Sequence, residues 1–206
     1  MFAFLRMPTA INKHLMRFRY FVVLYDVSCL LSDFVIPYVK NLDKEVKHPE
    51  SPKHGKLSGL PIRILVTPTS RSQCAKRLID LGYVTDEGVA DAMVEKLFNN
   101  SIFYHGKIDD TPITAKMMRD IEKSEPNGKI EDSLHICTAN AYGVPIITGE
   151  KQLAQWRRNC KHSVIRNVDF WIFVDDCRKM NDRDKVLSRM EIQKYFDRKF
   201  PSPKKQ

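Results

Sequence analysis

The chain has 206 residues, of which 43% are hydrophobic and 29% charged, and its formal net charge is +9. This length suits one domain with a substantial core, and the composition is ordinary for a globular protein. No apolar run approaches the ~20 residues that a membrane-spanning helix needs, so we expect no membrane partner and a cytoplasmic location. The five cysteines are scattered and contain no C-x-x-C pair, which favours reduced packing residues over a disulfide framework or a zinc site.

The positive charge is concentrated at the two ends of the chain. Residues 1–25 carry four basic residues and no acid, and residues 178–206 carry ten basic and four acidic residues. Residues 26–177 therefore account for only −1 of the net +9. A nearly neutral body with basic ends suits a polyanionic partner such as a nucleic acid. The alternative is a pair of solvated basic tails. Residues 1–20 also have the acid-free composition of a transit peptide, but we favour an N-terminal extension.

The hydrophobic pattern predicts strands that alternate with helices. In chain order it predicts a strand at 21–25, a helix at 30–42, a loop insertion at 43–61, a strand at 62–67, helices at 72–81 and 86–99, a strand at 102–104, helices from 111 and at 131–142, a strand at 144–148, a helix at 152–158, strands at 164–165 and 171–174, and a basic helix at 182–199. Alternation of this kind predicts an α/β fold with a parallel sheet and helices on both faces.

Two details qualify these elements. Pro37 argues against an unbroken helix over residues 30–42, because proline removes a backbone donor. The last helix is expected to bury an apolar stripe of Val186, Met190 and Tyr195.

Three acids stand at the ends of predicted elements. Asp26 follows the first strand, Asp132 opens a helix, and Glu150 follows the strand at 144–148. Because the working site of an open α/β sheet lies at the carboxyl ends of its strands, we expect these carboxylates to converge. Converging carboxylates need a cation, and hard oxygen ligands suit Mg²⁺ or Mn²⁺. Each acid also has a purely structural explanation as a helix cap or a partner of the helix dipole, and Glu131 is a rival to Asp132.

Three segments carry a resemblance to a known family. Residues 22–31 read VVLYDVSCLL, residues 131–139 read EDSLHICTA after a helix that starts near Thr111, and residues 142–150 read YGVPIITGE. In this order, and over residues 20–175, they resemble the PIN-domain nucleases, most closely the VapC-type toxin ribonucleases. The family shares an apolar strand followed by an aspartate, an aspartate-led helix, and a strand that ends in threonine and an acid or asparagine.

The resemblance implies a PIN-like three-layer fold, in which a central, mostly parallel sheet is flanked by helices. It also implies hydrolysis of RNA phosphodiester bonds with a Mg²⁺ or Mn²⁺ ion held by carboxylates. The residues that would serve as catalytic groups and metal ligands are Asp26, Asp132 and Glu150, supported by Ser28, Thr148 and Glu131. The hydroxyls of Ser28 and Thr148 would hydrogen-bond the carboxylates, although either could instead satisfy a turn.

The predicted organisation is a basic extension at 1–20, a PIN-like domain at 21–177 and a basic C-terminal helix and tail at 178–206. The predicted main partner is RNA, and the predicted phosphate-binding residues of the tail are Arg198, Lys199, Lys204 and Lys205. A small protein antitoxin and a second copy of the chain are further candidate partners.

Two departures from the family pattern bear on activity. The helix after the second strand usually carries a glutamate, and here that position falls on Gln73 or Cys74. The last motif ends in Glu150, where the family more often has aspartate or asparagine. These departures keep a second reading open, a catalytically impaired PIN-like module that binds RNA or protein.

Overall fold

The computed structural model describes residues 20–42, 51–105, 116, 119–120, 123, 130–181 and 186–202; the side chains of residues 130–131 and 150–152 lie outside this description. The first helix, α1, is α-helical at Val27–Leu30, π-helical at Leu31–Val35 and α-helical at Ile36–Leu42. The other elements are β1 Phe21–Tyr25, α2 Pro52–Leu57, β2 Ile62–Val66, α3 Pro68–Asp80, α4 Glu87–Phe98, β3 Phe103–His105, α5 Ile130–Tyr142, β4 Ile146–Thr148, α6 Glu150–Asn159, β5 Val164–Arg166, α7 Asn167–Asn181 and α8 Arg189–Lys199.

The five described strands form one sheet in the order β3-β2-β1-β4-β5, and every neighbouring pair is parallel. The central strand is β1, and all five of its residues are buried. A parallel strand covered on both faces reads as a continuous apolar run, which is why the sequence predicts this strand correctly. The structure thus confirms the three-layer α/β architecture that the PIN resemblance implies.

Helices cover both faces of the sheet. On one face, Trp156 of α6 and Ile136 of α5 share a buried cluster with Leu24 of β1. On the other face, the ring of Tyr25 meets those of Phe34 and Phe170, with centroids 5.9 and 5.6 Å apart. Successive residues of β1 therefore anchor opposite layers, and the end of this strand is held firmly from both sides.

The predicted strand at residues 171–174 is wrong, because this segment lies inside α7. A short apolar run fits a buried helix as well as a buried strand. Over the longer stretch Asn167–Asn181, the buried residues recur at helical spacing, which favours a helix. These buried residues are Phe170, Trp171, Phe173, Val174 and Cys177.

The predicted loop insertion at 43–61 is wrong for its second half. Residues 52–57 form α2, which Ser51 caps by accepting a hydrogen bond from the His54 N–H at 3.2 Å. Pro52 stands in the first turn, where its missing N–H costs nothing. Leu57 is fully buried in the core, so this polar-looking segment is a packed part of the domain. Residues 43–50 lie outside the described part.

The last helix is shorter than predicted and buries a different stripe. It begins at Arg189, because Ser188 and Glu191 form a capping box there. Ile192 and Phe196 are the buried residues of this helix. Of the predicted stripe, Val186 is 83% exposed and Met190 67% exposed, so the prediction is wrong for these two residues. Tyr195, the third member, packs against the core and stacks on Phe173.

The expected break at Pro37 is also absent, since α1 continues through it. The π-helical turn lies directly before this proline. A wider turn changes the hydrogen-bond pattern locally, which lets a residue without an N–H follow. The predicted helix from residue 111 lies almost wholly outside the described residues. No described helix is both long and apolar enough to cross a membrane.

Candidate active site

Asp26 lies at the carboxyl edge of the sheet, directly after the central strand. Its backbone N–H donates to the carbonyl of Ile147 in β4 at 2.8 Å, which continues the pairing of Tyr25 with Ile147. Asp26 is therefore level with Thr148, the last residue of β4. The side chain of Asp26 is only 5% exposed, and a carboxylate buried to this degree needs hydrogen-bonding or charged partners.

Two hydroxyls satisfy the Asp26 carboxylate. Ser28 Oγ donates to Asp26 Oδ2 at 2.5 Å, and Thr148 Oγ1 donates to the same oxygen at 3.2 Å. The described residues give Oδ1 no hydrogen bond. Asp26 occupies the N-cap position of α1, yet its side chain makes no capping hydrogen bond. The explanation of Asp26 as a helix cap is therefore wrong, and the predicted hydroxyl contacts are present.

The other predicted acids are placed at the same edge by their backbones. Asp132 is half-buried in the first turn of α5, which leads through a three-residue connection into β4. Because α5 runs opposite to the strand that follows it, its first turn lies at the carboxyl edge. Glu150 begins α6 immediately after Gly149. The side chains of Glu131 and Glu150 lie outside the described part, so their predicted roles stay predictions.

The possible metal ligands around Asp26 are oxygen atoms, the ligand type that hard cations prefer. In the part of the chain that the structure describes, no group of three or more His, Cys, Asp or Glu side chains could hold a metal ion. That part includes only Asp26 and Asp132 of the three predicted ligands. Burial, and then the charge of Asp26, raises the pKa of Cys29 to about 12. This thiol is therefore protonated at neutral pH, and the donors that remain are oxygens, which suit Mg²⁺ or Mn²⁺.

Gln73 and Cys74 are the two positions at which the resemblance places the usual family acid. They differ in burial. The Cys74 side chain is fully buried, whereas that of Gln73 is half-buried. Burial raises the pKa of the Cys74 thiol strongly, and the charge of Asp26 raises it further. Cys74 thus lies within electrostatic reach of Asp26 but brings no charge of its own. Of the two positions that the sequence left open, Cys74 is the one that faces the interior.

A second buried acid was missed by the sequence analysis. Asp33 is 8% exposed, and its Oδ2 accepts hydrogen bonds from Trp171 Nε1 at 2.7 Å and Asn167 Nδ2 at 2.9 Å. Lys53 Nζ lies 4.2 Å from the centroid of the Trp171 ring. These contacts tie α1 to α2 and α7. No sequence signal marks them, because Asp33 and Trp171 are 138 residues apart.

The predicted phosphate-binding residues of the tail have different surroundings. Lys199 Nζ contacts Asp176 Oδ2 at 2.6 Å, so part of its charge is neutralised within the protein. The exposed Arg198 guanidinium lies 5.3 Å from the ring centroid of Tyr195. Lys204 and Lys205 lie outside the described residues. The role of the tail in RNA binding stays a prediction.

All five cysteines are buried and none forms a disulfide, as the scattered sequence pattern predicts. His135 is 2% exposed and packs near Trp156, with ring centroids 6.1 Å apart.

No protein-family model matches the chain, and no curated protein matches it in sequence. Among solved structures, the chain is similar to VapBC2 from Rickettsia felis, which was solved bound to a DNA fragment from its promoter. The identity is 9% and the TM-score 0.43, over 70% of this chain and 96% of that chain. It is also similar to PAE2754 from Pyrobaculum aerophilum, with 14% identity and a TM-score of 0.43, over 76% of this chain and 90% of that chain. At these values no residue role or activity passes to this chain.

Proposed function

We propose that the protein is a metal-dependent ribonuclease of PIN-like fold that hydrolyses RNA phosphodiester bonds. The observation that carries the proposal is the environment of Asp26. This carboxylate is 5% exposed, stands at the end of the central strand and does not cap the helix that follows. Both described hydrogen bonds fall on Oδ2, which leaves Oδ1 for a cation. Burying a charge without pairing it is costly, so an acid kept in this state is a functional candidate.

Each residue has a defined task in this proposal. Asp26 and Asp132 would hold a Mg²⁺ or Mn²⁺ ion, with Glu150 as a further ligand or as the group that positions the attacking water. Ser28 and Thr148 orient the Asp26 carboxylate through their hydroxyls. Such a metal ion, when bound, lowers the pKa of water and offsets charge on the scissile phosphate. Single-stranded or looped RNA is the proposed substrate, because its backbone is accessible.

The test is cleavage of a single-stranded RNA in Mn²⁺ by the wild type and by Asp26→Asn. Asparagine keeps the shape and one acceptor oxygen but loses the charge that a divalent ion needs. We expect cleavage to be abolished while the fold is retained. The matched control is Asp91→Asn, which removes an equal charge from an exposed position on α4 and should leave cleavage unchanged. Unaltered cleavage by folded Asp26→Asn protein would contradict the proposal.

The second candidate function is a PIN-like module that binds RNA or protein without turnover. Its specific support is Cys74, one of the two positions at which the resemblance places the family acid, since this residue is fully buried and uncharged. In that case the wild type binds single-stranded RNA but does not cleave it at any Mn²⁺ concentration. Under either function, the resemblance to VapC-type toxins makes a small protein antitoxin a proposed partner, which co-expression with the neighbouring open reading frame would test.

A further inference from the structure

The carboxyl edge of the sheet carries a basic residue beside the candidate acids. Thr148 pairs with Arg166 of β5, and Asp26 is level with Thr148 on its other side. Continuing the register of β1 with β2 places Thr67 level with Asp26. Thr67, Asp26, Thr148 and Arg166 thus form one row across the carboxyl edge of the sheet. Of the four residues that the described strands place in this row, Arg166 alone is basic. Two strand spacings separate the backbones of Arg166 and Asp26, which is about 10 Å.

The guanidinium of Arg166 is held in a fixed direction. Its Nε donates to Asp169 Oδ2 at 2.7 Å, and its Nη2 donates to Asp169 Oδ1 at 3.1 Å. This pair offsets part of the Arg166 charge, as Asp176 does for Lys199, while the Arg166 side chain stays 41% exposed. A two-point contact with a carboxylate lowers the entropy that the arginine would lose on binding a phosphate. Arg166 also directly precedes α7, whose N-terminal end favours a negative group.

We propose that Arg166 binds a backbone phosphate of the RNA on one side of the scissile bond, and so positions the strand across Asp26. This inference rests on the proposed ribonuclease function. A basic group is needed at this edge of the sheet, because the candidate carboxylates alone would repel the polyanionic RNA. Because its backbone lies about 10 Å from that of Asp26, we assign Arg166 to a flanking phosphate rather than to the scissile one. If Arg166 only stabilised the first turn of α7 through its contact with Asp169, replacing it would leave RNA binding unchanged.

The test measures binding of a labelled single-stranded RNA by fluorescence anisotropy in EDTA, at several salt concentrations. Without metal there is no cleavage, so affinity is read apart from activity. We expect Arg166→Gln to weaken binding about tenfold and to reduce the log–log salt slope by about 0.7. Arg166→Lys should restore the slope but only part of the affinity, since lysine keeps the charge and loses the planar fork.

The matched control is Arg77→Gln. Arg77 forms the same kind of i,i+3 pair, with Asp80 at 3.5 Å, but it lies near the far end of α3, away from the carboxyl edge. We expect wild-type affinity and slope for this variant. In Mn²⁺, Arg166→Gln should raise KM and leave kcat within about twofold, as expected for a group that binds substrate outside the reacting centre.

The outcomes separate this inference from the proposed function. If the wild type binds and cleaves RNA but Arg166→Gln matches Arg77→Gln in affinity and slope, the role of Arg166 is wrong and the ribonuclease proposal stands. If the wild type neither binds nor cleaves RNA, both are wrong. Circular dichroism checks the fold of each variant. Should Arg166→Gln not fold, Arg166→Lys decides, because wild-type affinity for that variant would refute a role of the guanidinium fork.

Discussion

Thr148→Val removes one of the two hydroxyls that hold the candidate catalytic carboxylate. Thr148 is fully buried at the end of β4, and its Oγ1 donates to Asp26 Oδ2 at 3.2 Å. Valine has nearly the same shape and an equal preference for strands. The substitution therefore replaces a donor by a methyl group with little change in packing, and its effect reports mainly on the hydrogen bond.

The magnitude follows from the charge of the acceptor. Hydrogen bonds to charged groups contribute about 1.5–3 kcal/mol to stability. Asp26 is 5% exposed, so water replaces the lost donor poorly. We expect Thr148→Val to lower the free energy of unfolding by about 1.5–3 kcal/mol in EDTA. For a chain of this length, that corresponds to a fall in Tm of about 3–12 °C. Ser28 should keep the fold intact through its remaining contact with the same oxygen.

A double-mutant cycle with Asp26→Ala isolates the interaction. Thr148→Val should cost much less in the Asp26→Ala protein, with a coupling of about 1.5–3 kcal/mol measured by urea denaturation. Thr138→Val is the control, since Thr138 is a buried threonine of α5 and should be additive with Asp26→Ala. Additivity of Thr148→Val with Asp26→Ala would refute the reasoning, because the hydroxyl would then stabilise something other than the carboxylate.

Three further predictions concern the surroundings of the site and the basic end of the chain. Cys74→Asp should tighten Mn²⁺ binding about tenfold, measured by titration calorimetry, and should lower the free energy of unfolding without metal by about 1–3 kcal/mol. Gln73→Glu changes a half-buried position and should have smaller effects. Unchanged Mn²⁺ affinity in both variants would place this helix away from the metal. Hydrogen bonds from Lys199 and Tyr195 lower the pKa of Asp176, so its stabilising effect is present above the unfolded pKa of about 3.9 and lost as pH falls through the folded value. Asp176→Asn should thus lower the free energy of unfolding by about 0.2–1 kcal/mol at pH 7, and by little at a pH below the folded pKa of Asp176, as measured by denaturation curves at several pH values. A loss of stability that does not depend on pH would contradict this assignment. Replacing Arg198, Lys204 and Lys205 with Gln should reduce the salt slope of RNA binding by about 2, and an unchanged slope would make the tail a solubilising surface only.

Several features follow from local sequence alone. The run Phe21–Tyr25 predicts a strand covered on both faces, and the structure places it at the centre of the sheet. Asp26 directly follows this run, so its position at the carboxyl edge was predictable once the sheet was known to be parallel. The alternation of strands and helices likewise predicts the three layers. These features depend on residues close together in the chain, whose spacing the sequence displays directly.

Other local signals were present but ambiguous. Residues 171–174 fit either a strand or a helix until the buried positions of α7 over a longer stretch are compared. Residues 52–57 look like a polar loop, although Ser51 and Pro52 are a recognisable helix start and Leu57 is buried. In both places, the tertiary contacts of a few apolar side chains outweigh the local composition, because burial contributes more than propensity.

The tertiary structure decided between the alternatives that the sequence left open for the polar groups of the site. Thr148 and Asp26 are 122 residues apart in the sequence, and their contact requires β4 to pair with β1 in one register. Arg166 joins the same row only because β5 pairs with β4 with Thr148 opposite it. A shift of one residue in either pairing would turn these side chains to the other face of the sheet. Strand order and register arise from packing across the whole domain. The sequence therefore determines the candidate acids and hydroxyls, while the fold determines which carboxylate oxygen the hydroxyls contact and which basic residue lies beside them.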